Sequence, residues 1–252
     1  PYVSLGYLDI EEVRKYKDMR ALLNYIHPDR LRNALKGPML DIVEDTTEHV
    51  LAWRVPKMML ILICGRPAIT KFLRTLERED GESSRGAPVQ QELRIPRGTA
   101  SHVGFRIMLS WMKGACYEAS MGTTEPIRVP KNLFTAISLA RTLDLFGLHR
   151  DACRVDNIIA DHHFRRPIYP DEIAAVWKCL PRDNKYLFGI VNVLRERIKK
   201  FEDGKGKPLH KGVLAYLEEN SGLSARVRDP EVNEQFKPFF GTKWCEFLGK
   251  EK

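Results

Sequence analysis

Two adjacent histidines, an aspartate and two arginines fall together in ADHHFRRP, residues 160–167. Two imidazoles beside a carboxylate have the types of a metal ligand set or an acid–base pair, and two guanidiniums after them have the types of a phosphate clamp. The spacing speaks against shared ligation. His162 and His163 are neighbours on a predicted helix, so they project about 100° apart, whereas a helical metal pair uses positions i and i+4. Asp161 is off that face as well. Histidine in a last helical turn meets the negative end of the macrodipole, Arg165 and Arg166 extend that effect, and Pro167 stops the helix. The stretch therefore reads as a helix end and a hinge, where His162 or His163 lends mild pH sensitivity if it touches a charged neighbour.

Other candidates for chemistry fail on context. GKGKP, within 202–208, lacks the strand-to-helix frame of a phosphate loop, and no GxSxG, HExxH or DxDxDG pattern occurs. Cys64, Cys116, Cys153, Cys179 and Cys245 are scattered without a CxxC pair, which predicts buried free thiols in a reducing compartment rather than a zinc site. Trp111, Met112 and Cys116 in WMKGAC read as core, as do Trp53 and Trp177. No catalytic residue, cofactor site, metal site or small-molecule substrate is expected. One basic run does have a chemistry: Arg195, Arg197, Lys199, Lys200, Lys205 and Lys207, in LRERIKKFEDGKGK, have the types for contact with phosphates or an acidic surface. Glu196, Glu202 and Asp203 interleave, so a solvated face is the favoured reading and nucleic acid the alternative.

The elements that position these residues begin with an amphipathic helix over 8–27, where Leu8, Val13, Tyr16, Met19, Leu22, Leu23 and Ile26 form one stripe. A short second helix ends at Gly37-Pro38. MLDIVED and HVLAWRV, separated by DTTE (45–48), read as a β-hairpin. PKMMLILICGRPAITKFLRTLERE reads as a helix begun by Pro56, interrupted near Gly65–Pro67 and then resumed. GESSRGAP (81–88) is a flexible loop before a short strand, QELRIP. Helices follow over 102–117, where Val103, Phe105, Ile107, Met108, Leu109, Trp111 and Met112 face inward, and over 130–148 and 151–164, with EPIRVP as a short strand between the first two. PDEIAAVWKCLP, KYLFGIVNVLRERIKKFE and LHKGVLAYLEENSGL continue the helical run. The tail carries Phe236, Phe239, Phe240, Trp244 and Phe247 without periodicity.

The chain has 252 residues and 43% hydrophobic content, enough for a sizeable core, with a net charge of +8 that suits acidic partners. No window approaches the about 18 uninterrupted apolar residues of a membrane span, and the first residues carry no signal-peptide pattern, so no membrane partner is expected.

Two stretches then carry a family resemblance. LRIPRGTASHVGFRIMLSWMKGAC and VPKNLFTAISLARTLDLFGLHRDAC, preceded by a hairpin and a helix pair, resemble the divergent BTB/POZ domains common in fungi. Where the family opens its first long helix with His-Lys, this chain has Pro56-Lys57. The resemblance covers about 39–155 and implies an α+β fold, a small β-sheet covered by α-helices, followed by an all-helical extension. It divides the chain into an N-terminal amphipathic segment (1–38), the BTB/POZ-like domain (39–155), a helical extension of the kind called BACK (156–229) and an aromatic-rich tail (230–252). It implies a non-catalytic scaffold or adaptor that brings proteins together, homodimer formation included, inside the cell and in the nucleus, at chromatin, rather than the cytoplasm. A cullin-3 ubiquitin-ligase adaptor is an alternative, as is the nucleic-acid binder using 194–211. Surplus apolar residues outside the expected core place the partner surface on Tyr16, Met19, Leu23 and Ile26, on the surroundings of the 81–88 loop, or on Phe236, Phe239, Phe240 and Trp244. The 8–27 helix packs in cis or exchanges with a partner; both stay open.

Overall fold

A computed structural model describes residue 14 and residues 18–76, 90–118 and 124–238. The chain divides into two compact units: Pro1–Val129 with Ser138–Val155, and Pro130–Ile137 with Asp156–Lys252. The predicted 81–88 loop lies outside the described residues, as do Leu8, Val13, Tyr16, Phe239, Phe240, Trp244, Cys245 and Phe247.

The first unit is α+β. Helices α1 (Met19–Leu23) and α2 (Pro28–Ala34) precede strands β1 (Met39–Glu44) and β2 (Val50–Pro56). Helices α3 (Lys57–Cys64) and α4 (Arg66–Thr70) lead to β3 (Leu73–Thr75), β4 (Gln91–Ile95) and the long α5 (His102–Glu118). Among the described residues the sheet has four strands in the order β2-β1-β4-β3. The hairpin is antiparallel, with Ile42 opposite Ala52, and β1 runs parallel to β4, with Ile42 opposite Leu93. The hairpin turn falls on the polar DTTE segment as expected, and it uses left-handed backbone at Thr46 and Glu48, residue types that rarely adopt it.

Apolar side chains of sheet and helices make one core. Leu40, Ile42, Leu93 and Ile95 are buried with Met59, Leu60 and Ile63 of α3 and Phe105, Met108 and Met112 of α5. Each fully buried side chain of this size stabilises the unit by about 1.5–3 kcal/mol. Gly65 ends α3 at φ +92°, a conformation that side-chain-bearing residues rarely adopt, and the chain restarts at once in α4 with Pro67 in its first turn.

Helices α6 (Leu133–Leu145) and α7 (His149–Ile158) each carry the chain from one unit into the other. A π-helical turn, Ile159–His163, ends α7. The rest of the second unit is helical: α8 (Pro170–Cys179), α9 (Lys185–Glu202), α10 (Lys211–Glu219), α11 (Ser221–Arg228) and α12 (Pro230–Glu234). Its centre is the apolar face of α9, where Tyr186, Leu187, Ile190, Val191 and Leu194 are buried. Buried Asp156 anchors the start of that helix, accepting from Tyr186 Oη at 2.6 Å and Lys185 Nζ at 2.5 Å.

Several expectations need correcting. Leu73–Thr75 is a strand, not resumed helix, because pairing with β4 offers backbone partners that a lone helical turn lacks. EPIRVP forms no strand; its carbonyls at Glu125 and Ile127 accept from side chains, Trp111 Nε1 and Arg154 Nη2. The helix expected over LHKGVLAYLEENSGL breaks at Asn220, whose backbone leaves the helical region (φ −119°, ψ 81°). Cys153 and Cys179 are exposed, not buried, because their helices turn those faces to solvent. Val103, Ile107 and Trp111 are half-buried, on the flank of α5 and not on its core face.

Candidate interaction surfaces

ADHHFRRP folds into a clamp. The π-helical turn sends its imidazoles apart: His163 is buried and His162 exposed. Arg166 grips Glu172 of α8, with Nη2 to Oε1 at 2.5 Å and Nη1 to Oε2 at 2.9 Å. The Glu172 carboxylate also accepts from Leu133 N, at the start of α6, at 2.7 Å and from Tyr169 N at 3.2 Å. Burial works to raise its pKa, but Arg166 and the two backbone donors outweigh burial and hold it below the ordinary value. Arg166 Nη2 further donates to Lys131 O at 3.0 Å and lies 3.2 Å from His163 Nδ1. A guanidinium only donates, so His163 is neutral with Nδ1 as acceptor. Burial, then the Arg166 charge, lowers its pKa in keeping with that role. The cluster is a satisfied structural junction of the second unit. Among the described residues no group of three or more His, Cys, Asp or Glu can hold a metal ion.

The N-terminal stripe is turned inward. Met19, Leu23 and Ile26 are buried in the first unit, and the Asp151 carboxylate accepts from Met19 N at 2.7 Å. These three side chains therefore present no open face to a partner. Burial, with Asp18 adding, pushes the Asp151 carboxyl up to about 6, against the pull of Met19 N–H and Arg154. Among the described residues two thiols are buried and inert: burial raises Cys64 to about 12 and Cys116 to about 11.

The basic run separates into two kinds of residue. Arg195 donates to Arg226 O at 2.6 Å and Val227 O at 3.1 Å, and Arg197 donates to Phe164 O and Arg166 O at 2.6 and 2.7 Å. Both guanidiniums hold helices together and are withdrawn from any phosphate. Lys199, Lys200, Lys205 and Lys207 are exposed, with Phe201 49% exposed among them. A Cβ on Gly206 would come within 3.1 Å of Lys200 Cβ, so a bare glycine lets the 203–207 loop lie on the last turn of α9 and gathers the lysines. In the tail, Phe236 is half-buried with the Arg226 guanidinium 4.3 Å above its ring.

Two surfaces were not singled out in the sequence. On the hairpin, Trp53 is 67% exposed, and Met39 and Met58, 41% and 45% exposed, flank the Met39–Pro56 end of the same strand pair. Strand β2 is an edge among the described residues, and its ladder is broken by Arg54 at φ +48°, whose N–H goes to Asp41 Oδ1 at 2.8 Å. Alternation alone cannot distinguish a core tryptophan from one facing out across such an irregularity. The second surface is a groove of about 660 Å³ between α5 and residues 124–128. Half-buried Trp111 and Ile107 line it, buried Ala115 and Ile127 lie at its base, and exposed Arg106 and Arg128 stand among the lining residues.

Comparison with family models, with curated proteins and with solved structures finds no match to this chain.

Proposed function

We propose that the chain is a non-catalytic interaction module: a BTB/POZ-like domain over about 39–155 with a helical extension, bringing proteins together in the nucleus, at chromatin. The observation that carries the reading is the set of large apolar side chains left in solvent, Trp53 and Met39 on the hairpin with Met58 in the first turn of α3. Exposed tryptophan on a rigid sheet is a costly surface in isolation and a strong anchor in a complex. The element order supports the family part of the reading. The hairpin, the helix pair, the short strand β4 and the long amphipathic helix come in the order that the resemblance names, with β3 as an added strand between the helix pair and β4.

The burial of Met19, Leu23 and Ile26 moves the expected partner surface from the N-terminal stripe to this hairpin. Affinity capture from nuclear extract tests it with the full chain, Trp53→Ser and Met58→Ser as bait, beside tail-truncated chain ending at residue 238. The reading expects partners that wild-type chain retains and the hairpin variants lose. Identical capture by every bait would sink it.

A second reading rests on the four gathered lysines, which suit a phosphate backbone. It expects duplex DNA to bind at low salt and Lys199→Ala with Lys205→Ala to lower the salt dependence. Absence of binding at low salt removes it.

A further inference from the structure

We infer that the groove between α5 and residues 124–128 is a docking site for an extended acidic peptide of a partner protein, anchored by one aliphatic side chain beside Gly114. This rests on the reading of the chain as an interaction module and names the kind of partner that one of its surfaces takes.

The groove lies wholly within the first unit, and its volume of about 660 Å³ falls in the usual range of ligand sites. Its accessible apolar surface is the flank of half-buried Trp111 and Ile107, while Ile127 is buried at its base. The walls are fixed to each other. Trp111 Nε1 donates to Glu125 O at 2.9 Å and Arg154 Nη2 donates to Ile127 O at 2.7 Å, so the extended segment cannot fall into the gap. Gly114 lies in the lining, and a Cβ built there meets nothing within 4 Å. That notch accepts a branched aliphatic group without displacing the core residues Met112 and Cys116.

Charge selects the occupant. Arg106 stands exposed on the rim and makes no ion pair among the described residues. Arg128, also on the rim, pairs with Glu125 at 3.1 Å, with both side chains largely in solvent. Two guanidiniums against one carboxylate leave a positive rim around an apolar floor, complementary to an acidic residue flanking an aliphatic one. Pro126 has no N–H, and the Glu125 and Ile127 carbonyls already accept from Trp111 and Arg154, so few backbone groups of this segment are left for a ladder and side chains recognise the occupant.

The test uses the full chain and immobilised decapeptides in a Gly/Ser background. One set carries a leucine flanked by glutamates, a second the same leucine flanked by lysines, and a third serine in place of the leucine. The Glu/Leu peptides are expected to bind, and each of the other sets to bind at least about tenfold more weakly. Gly114→Leu fills the notch and is expected to weaken binding about tenfold while leaving thermal stability unchanged or higher, since leucine is the better helix former. Arg106→Glu, at an exposed position, is expected to erase the preference for glutamate and serves if Gly114→Leu fails to fold. No binding of the Glu/Leu set, equal binding of the lysine set, or insensitivity to both variants overturns the assignment. So does a Gly114→Leu effect on the chain's mass in light scattering, because a second copy would then fill the groove. Loss of the peptide result with nuclear capture through Trp53 intact removes the groove assignment alone.

Discussion

Two buried carboxylates respond to pH in opposite directions because their neighbours differ. Asp151 faces one backbone N–H, with Asp18 nearby and Arg154 only at 4.0 Å, so burial dominates and its carboxyl titrates near 6. A folded-state value above the unfolded one of 3.8 means that the folded state binds the proton more tightly. Stability from this group therefore grows as pH falls through about 6 and is absent above it, by up to about 3 kcal/mol. Asp151→Asn keeps an acceptor for Met19 N–H and removes the charge. Urea unfolding at about pH 5 and about pH 7.5 should show a smaller pH difference in the variant, which at the higher pH should be the more stable protein. Glu172 is the reverse case. Arg166 and two backbone donors hold its pKa down, so its contribution is full above the ordinary carboxylate range and is lost as pH falls through its folded value. Glu172→Gln leaves Arg166 without its carboxylate and should cost about 2–3 kcal/mol at neutral pH, toward the low end for such pairs because Arg166 is partly exposed. The gap between wild type and variant should close in strongly acidic urea titrations.

Helix packing turns on glycines whose helical geometry is the same and whose surroundings are not. A Cβ at Gly104 of α5 would collide with Thr142 Oγ1 and the Ser138 carbonyl of α6, so the two helices touch backbone to backbone there. Gly104→Ala should destabilise by about 1–3 kcal/mol despite alanine's better helix propensity. Gly114→Ala, ten residues on in the same helix with open space around it, should instead stabilise by about 0.5–1 kcal/mol. Chemical denaturation of the two variants side by side measures both signs. Periodicity made α5 and α9 legible at nearly their observed bounds, but nothing in HVGFRI marks Gly104 as a contact, because its partners lie over thirty residues away. The same non-locality hid β3, whose apolar spacing continues the helix before it while its hydrogen bonds belong to β4. In the Arg166 clamp, neither the return of Glu172 to Tyr169 N, which has no Ser or Thr to mark a capping box, nor its reach to Leu133 N, 39 residues back, was readable. The groove needed the fold to bring 124–128 against α5, and the outward turn of Trp53 followed an irregular strand rather than its alternation.

At the scale of the whole molecule, the passages between the units constrain how the chain can be divided. The chain changes unit between Ile137 and Ser138 inside α6 and between Val155 and Asp156 inside α7. A cut after residue 155, where the first compact unit ends, therefore severs α7 within its last turns. It also removes the Glu172 carboxylate that receives Leu133 N–H, along with the second-unit surroundings of Pro130–Ile137, where Leu133 and Ile137 are buried. A helix start stripped of its acceptor and of apolar cover loses both capping and burial energy, on the order of several kcal/mol against the 5–15 kcal/mol typical of a domain. Residues 1–155 alone should thus melt well below the full chain and scatter light on heating. A fragment ending at residue 238, which retains every described element of both units, should keep the helical circular-dichroism signal and the melting temperature of the full chain to within a few degrees. Thermal scans of the three proteins, read by circular dichroism and light scattering together, separate the outcomes. Equal melting of the 1–155 fragment and the full chain would mean that the first unit carries its own stability without the helical one.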